Sequence, residues 1–506
     1  MPPPIHSGTS SGLTASQAGF GFHDSVLVSM GSISFGFAAH KFDRLTVFVF
    51  LWASVRFFHQ VSFPEWAIHH DKWGYLLMAA VVLALVRPQS VWVLVLLLVA
   101  SMLRTPHWMP FNPNHILFEF YVDGGILFSL MYGLGAAYWQ KGDKENPVSR
   151  EKIFEGFAPM ARISIILLYF YAVFHKLNWD YFNPEISCGT FLMRGLLEHF
   201  HLTYFPYWGK LLAVWGTLAI ELLIPVFFLF RPTRRWGILL GLVFHFVLSL
   251  HPHLGLYSFS ALLVGFFYLF TPPGFNDALA AQAARWRGRF SKIPYQVAGV
   301  SVLAAILFLW LHQYRHGGFV QAAFVLWYVW WAFVFVVYWR FFVGHPPGER
   351  SFRDTFAPHP RVMWVFVLVV FVNGLSPYLG LKTQTSYSMF SNLRTEGDMA
   401  NHIFMPRNLL ATRWQDDLVT IVRTDAPALR GFSDGKRMIT YFEFRRAASE
   451  THHDFFVDYR RAGKQRHLEV RNGTSNDPGL TRPYPWPVRK IMRFRPVYAD
   501  TCRCQH

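Results

Sequence analysis

The sequence predicts an all-α polytopic membrane bundle of about nine to eleven transmembrane helices, with a small β-rich extracytoplasmic domain at its C-terminus. Three observations predict it. Apolar runs of about 15–25 residues recur through the first three quarters of the chain. The composition is 53% hydrophobic and 18% aromatic with only 15% charged residues, which suits lipid-facing and interfacial surfaces better than one soluble core. Beyond residue 380 the pattern turns polar, with short alternating runs between turn signals.

Residues 1–25 are rich in Pro, Ser, Gly and Thr. They lack a basic stretch followed by an apolar one, so they read as a disordered tail and not as a signal peptide. Residues 26–275 form the main transmembrane domain, with apolar runs at 45–58, 74–86, 91–103, 116–138, 161–174, 211–230, 236–250 and 254–270. Residues 276–380 add runs at 297–311, 320–338 and 362–379. Several of these are short for a 30 Å core and suit half-helices or re-entrant elements. Residues 381–506 form the β-rich domain, with strands expected at 418–422, 438–444, 455–459 and 467–470. The signals between them are Asp-Gly, Ala-Gly and Asn-Gly. The proline-rich run 482–488 reads as a surface loop.

The net charge of +17 would suggest nucleic acid in a soluble protein. Here the basic residues cluster in loops between apolar runs, and no nucleic-acid motif is present. Alternating the runs puts the dense basic loops, such as Lys141 to Lys152 and Arg231 to Arg235, on one side. That side is cytoplasmic by the positive-inside rule, together with the N-terminus. The starts and ends that carry Asn114, His115, Lys176, His251 and His253 then share the extracytoplasmic side. Three cysteines are too few for a disulfide framework, and Cys502 and Cys504 stand too isolated for a metal site. No zinc or haem set, nucleotide loop or Ser-His-Asp arrangement is visible.

The segment 169–181, YFYAVFHKLNWDY, places Lys176 at the end of an uncharged apolar run. A lysine inside a membrane helix costs roughly 2.5–3.5 kcal/mol on insertion scales, so such residues are rare and often functional. Snorkelling to the interface is the competing reading, and Trp179 and Tyr181 suit that level. Lys176 faces a helix C-terminal dipole that favours the cation, and Asp180 is near enough in sequence to pair with it. His115 follows Asn112-Pro113-Asn114, which reads as an N-cap and a first-turn proline, so a capping or interfacial role is open to it. Glu221, ahead of Pro225 on an apolar run, is an intramembrane carboxylate that either works at a site or pairs with an arginine. Between Asn178 and Lys210, Phe191, Leu192, Leu196, Leu197 and Phe200 have helical spacing on an amphipathic stretch that could cover a pocket entrance or pack as a re-entrant element.

Lys176-Leu177-Asn178-Trp179-Asp180 resembles the lysine motif of the vitamin K-dependent γ-glutamyl carboxylases and their bacterial relatives. Asn114-His115 resembles that family's Asn-His pair, and Phe244-His245 with Leu250-His251-Pro252-His253 is a vaguer match. The resemblance covers about 35–275, and 377–396 is similar to the bacterial horizontally transferred transmembrane (HTTM) group. It implies a multi-pass enzyme of a bacterial inner membrane, of a carbon–carbon lyase/monooxygenase kind. The implied cofactors are a reduced vitamin K (a menaquinol-type hydroquinone), O2 and CO2. The implied catalytic residues are Lys176, His115 and Asn114. Asn178, Trp179, His245, His251 and Glu221 would bind substrate, no metal is needed, and the acceptor is a peptide or protein glutamate or another acidic molecule. The extracytoplasmic region is much shorter than in the animal enzymes. A quinone-dependent oxidoreductase without carboxylation therefore stands as an alternative, as does a non-enzymatic transporter or assembly factor. The last would need charges lining a path across the bilayer, and the sequence offers few.

Overall fold

The computed structural model describes residues 43–63, 65–139, 149–289, 319–344, 351–397, 400–405, 409, 411–498 and 504. The N-terminal tail 1–25 and the apolar run 297–311 lie outside the described residues. Helices follow one another as α1 (Arg44–Ser62), α2 (Glu65–Ile68), α3 (Lys72–Val86), α4 (Val91–Trp108), α5 (Asn114–Trp139), α6 (Arg150–Phe174), α7 (Trp179–Phe182), α8 (Cys188–His199), α9 (Tyr207–Leu229), α10 (Arg234–Ser249), α11 (Leu254–Tyr268) and α12 (Gly274–Arg289). Two further apolar helices, Phe319–Gly344 and Trp364–Leu375, complete the bundle among the described residues.

Six helices are long and apolar enough to cross a membrane: α1, α4, α5, α6, α9 and the helix Phe319–Gly344. α3, α11 and the helix ending at Leu375 are apolar but shorter. The starts are set locally: Asp43, Asp71, Ser90 and Ser149 each accept a backbone N–H of the first turn of α1, α3, α4 and α6. α1 is enclosed on nearly every face, and α3, α6 and α11 pack around it. α9 leaves most of its surface outward, as a lipid-facing helix does. α5 begins at Asn114 and not after Asn112, whose side-chain amide instead donates to the Thr105 carbonyl at 2.8 Å.

The C-terminal part is an antiparallel sheet in the order β5-β4-β3-β1-β2-β6. Its strands are β1 (Leu418–Thr424), β2 (Arg437–Thr440), β3 (Phe455–Arg461), β4 (Lys464–Arg471), β5 (Thr474–Ser475) and β6 (Val497–Tyr498). Ala462-Gly463 joins β3 to β4 and Asn472-Gly473 joins β4 to β5, all four with positive φ, as two-residue hairpin turns require. The extended run expected over 438–444 is cut at Thr440. There Thr440 Oγ1 accepts the Glu443 N–H and opens a helix, Tyr441–Glu450. The Thr440 N-cap decides this, overriding the alternation of the aromatic residues, while Glu443 itself accepts from the Phe494 N–H at 2.8 Å. The proline run likewise ends in a short helix, Trp486–Ile491.

Residues 376–396 link the bundle to the sheet as irregular backbone, almost wholly buried. Thr383 N donates to the Arg493 carbonyl at 3.0 Å, and Thr383 Oγ1 accepts the Arg495 N–H at 2.9 Å. Arg495 also donates to the Leu393 carbonyl at 2.6 Å, so the tail of the sheet domain is stitched to this linker. The cysteine count pointed to no disulfide framework, yet Cys188 and Cys504 are bonded across a sequence separation of 316 residues. Spatial proximity is not readable from so wide a spacing. The bond fixes the start of α8, where Asn392 Oδ1 also accepts the Cys188 N–H at 2.6 Å.

Replacing both bonded cysteines by serine releases that anchor. The expected loss is about 2–5 kcal/mol, read as a lowered thermal midpoint of the detergent-solubilised protein. An unchanged midpoint would mean that Asn392 alone holds α8.

Candidate functional site

A cavity lies where α5 starts, α6 ends and α10 turns into α11. Its walls are mainly apolar, from Leu168, Leu192, Leu196, Phe244, Phe259 and Phe390 among others. Its polar lining includes Asn114, His115, Lys176, Thr217, Glu221 and His251. Three segments far apart in sequence thus bring their family-like residues to one place. α8 forms one side through Gly189, Leu192, Met193 and Leu196. At Gly189 a Cβ would stand 3.0 Å from the Ala213 carbonyl oxygen, so glycine permits α8 to lie this close to α9.

Lys176 sits just past the end of α6, where Lys176 N donates to the Val173 carbonyl at 3.0 Å. Its side chain is only 6% exposed, and its Nζ donates to Glu221 Oε2 at 2.5 Å and to the Ala172 carbonyl at 3.2 Å. An ammonium carries three donors, so these contacts leave one for a ligand. The Tyr181 ring lies 5.9 Å from Nζ. Asp180, the sequence neighbour expected to pair with Lys176, accepts instead from Asn401 Nδ2 at 2.7 Å. Glu221 comes from α9, where Pro225 four residues on has no N–H to offer the Glu221 carbonyl.

His115 is fully enclosed at the start of α5, and its Nε2 is 2.9 Å from Ser258 Oγ. Its Nδ1 has no hydrogen-bond partner among the described residues. A buried imidazole nitrogen left in this way is a ready contact for a ligand hydroxyl or carbonyl. Asn114 works differently: its Oδ1 accepts the Tyr387 N–H at 2.6 Å and so holds the linker against the cavity. Tyr387 has φ 65°, and Thr385, Phe390 and Asn392 are also left-handed. Such residues cost roughly 1–2 kcal/mol each, so the contacts around them must over-determine the loop.

The structure places the other expected residues around the cavity but outside its lining. Asn178 caps α7 through the Tyr181 N–H at 2.8 Å and donates to the His175 and Ser391 carbonyls at 2.7 Å. Trp179 is 68% exposed. His245 Nε2 meets the Tyr169 hydroxyl at 2.7 Å, while its neighbour Phe244 faces the cavity. His253 caps α11. No group of His, Cys, Asp or Glu able to hold a metal occurs among the described residues.

Sequence reasoning missed a charged cluster directly behind His115. On α5, Glu119 and Asp123 are wholly buried, and Arg56 of α1 pairs with both, reaching Asp123 Oδ2 at 2.6 Å. Trp52 Nε1 and Ser101 Oγ also donate to Asp123, at 3.0 and 2.8 Å. His59 of α1 lies between Glu119 Oε2 and the Ser258 carbonyl, each 3.0 Å away. The expectation of few intramembrane charges is corrected here: they are present, but they neutralise one another inside the bundle. The signal was the spacing His115, Glu119, Asp123, three polar residues four apart on one face of an apolar helix.

The HTTM domain family matches residues 140–273, the stretch from the end of α5 to the end of α11 that supplies Lys176, Glu221 and His251. This is a domain of vitamin K-dependent carboxylase-like membrane proteins. No curated protein and no solved structure matches the chain.

The buried cluster is testable through stability. Asp123→Ala leaves Arg56 with one fewer partner in the bundle and strands the Trp52 and Ser101 donors. The expected loss is about 3–5 kcal/mol, read as a fall in thermal midpoint in detergent. A loss under 1 kcal/mol would mean that the cluster is hydrated.

Proposed function

We propose that the protein is an integral membrane enzyme of the vitamin K-dependent carboxylase-like kind, with Lys176 as the base that activates a reduced naphthoquinone. One observation carries the reading: an amine and a carboxylate share a hydrogen bond inside a large, mostly apolar cavity at the end of membrane helices. The cavity fits such a hydroquinone in kind, with flat apolar walls from Phe244, Phe259 and Phe390 and an unpartnered His115 Nδ1 for an oxygen. When bound, the hydroquinone supplies, with O2, the strong base that removes a γ-proton from a glutamate so that CO2 can add there.

The residues of this chain have three tasks. Nζ of Lys176 must accept a proton, which needs the un-ionised amine. Glu221 Oε2 stands at hydrogen-bond distance from Nζ, so a proton passing between the two leaves the net charge of the pair unchanged. Once Nζ takes up the proton, the new cation stays beside the anion it has created. His115 fixes an oxygen of the ring through Nδ1, with Ser258 holding its other nitrogen. The apolar lining, with α8 across it, keeps water from reactive carbon. The disulfide between Cys188 and Cys504 supports an oxidising, extracytoplasmic location for this end of the bundle.

The test uses full-length protein in lipid nanodiscs with reduced vitamin K, O2 and labelled bicarbonate, following epoxide and label fixed into a glutamate peptide. Lys176→Met is expected to lower both by roughly 10²–10⁴-fold, the range of a general base. Glu221→Gln should also slow both while leaving quinone affinity in place. Epoxide without fixed label would favour a quinone oxidoreductase lacking carboxylation. Neither product from folded wild type would overturn the enzyme reading in favour of transport or assembly.

A further inference from the structure

A second lysine is buried without a carboxylate. Lys382 belongs to the irregular linker beyond the last membrane helix and is 3% exposed. Its Nζ reaches Thr385 Oγ1 at 3.3 Å, a long contact to a neutral group. No ion pair of Lys382 is found among the described residues. It lines a small separate cavity with Met109, Pro110, Asn112, Leu117, Tyr121 and Lys490 among its walls. No Asp or Glu lines that space among the described residues, and the one other charged group there is Lys490. Lys490 spends one donor on the His107 carbonyl at 3.1 Å, leaving two.

An isolated ammonium is expensive to bury, so a lysine in such a place either loses its proton or gains an anion. Burial pushes Lys382 down to about 7, far below the usual lysine range. Near neutrality a large fraction is then free amine, against about one in 2,500 for a lysine in water. A free amine in an enclosed pocket is a nucleophile. The pocket is small, and among the described residues it supplies one cation but no anion. The missing partner is thus small, electrophilic and anionic once attached.

We propose that Lys382 is a carbon dioxide-binding site, forming a carbamate that Lys490 neutralises. The Nζ lone pair attacks the carbon of CO2 and an N–C bond forms. One C=O π pair moves to oxygen as the carboxylate, and the proton displaced from nitrogen leaves to water. Nothing is oxidised or reduced. The product converts Lys382 from an unmatched cation to an anion beside Lys490, and Thr385 Oγ1 and the Tyr121 hydroxyl stand in the same lining. This site is distinct from the Lys176 cavity, and the inference does not rest on the proposed reaction there.

The experiment is carbon-13 solid-state NMR of the full chain in nanodiscs equilibrated with labelled CO2 and bicarbonate near pH 7.5. Wild type is compared with Lys382→Arg, which keeps a cation but cannot form the carbamate under these conditions. The expected result is a carbamate resonance that disappears in Lys382→Arg while thermal stability is kept. Trapping with triethyloxonium after denaturing quench, then peptide mass analysis, should put roughly several hundredfold more label on Lys382 than on surface lysines, following the fractions of free amine. The proposal is overturned if no carbamate resonance appears in folded wild type. It is equally overturned if the resonance survives in Lys382→Arg, or if only unbonded bicarbonate is seen.

Discussion

Charge inside an apolar bundle must be matched on the spot, and the pairing of Arg56 with Glu119 and Asp123 meets that demand at the centre of this protein. All three side chains are sealed from solvent, on α1 and α5. In such surroundings an unmatched charge would cost several kcal/mol, so the pairing leaves α1 and α5 little freedom in register. α4 is tied in by Ser101 and α11 by Ser258. Two of the helices that frame the cavity, α5 and α11, are thereby fixed by a polar core that cannot slide, where apolar packing alone could.

The same core reaches the cavity through two histidines. His59 Nε2 faces the Ser258 carbonyl, which only accepts, so Nε2 carries a hydrogen. The His115 ring lies 5.3 Å from the His59 ring and touches the same serine. One wall of the cavity is thus anchored to the buried ion pairs of α1 and α5, and the Lys176–Glu221 pair stands in the same lining.

Much of this was legible in the sequence, and the parts that were not share a cause. Length and apolarity of α4, α6 and α9 announced membrane helices, and Lys176 and Glu221 stood out because charge is rare there. Loop alternation put Asn114, Lys176 and His251 on one side of the membrane, and the three residues line one cavity. What the sequence hid is partnership across long separations. Lys176 could be matched with Asp180 by proximity in the chain, but its partner is 45 residues away. Cys188 and Cys504 are further apart still. The buried role of 376–396 was equally hidden, because Thr, Ser and Asn read as loop and solvent when their partners are unknown. In place, Asn373 Nδ2 donates to the Thr385 carbonyl, and Ser386 and Ser388 both donate to the Thr383 carbonyl, so the polar residues satisfy one another.

The two buried lysines show how partnership selects chemistry. Lys176 has a carboxylate at hydrogen-bond distance, so its proton can move locally while the pair stays neutral. The amine is then suited to repeated proton exchange with a ligand. Lys382 has no such acceptor, and shedding its proton means sending it to solvent. An amine of that kind is poorly suited to cycling protons but well suited to forming a bond that replaces the proton. The difference lies in what the fold sets beside each side chain, one from α9 and one from the sheet domain. One lysine lines a cavity with mainly apolar walls, and the other a smaller, separate pocket that it shares with Lys490.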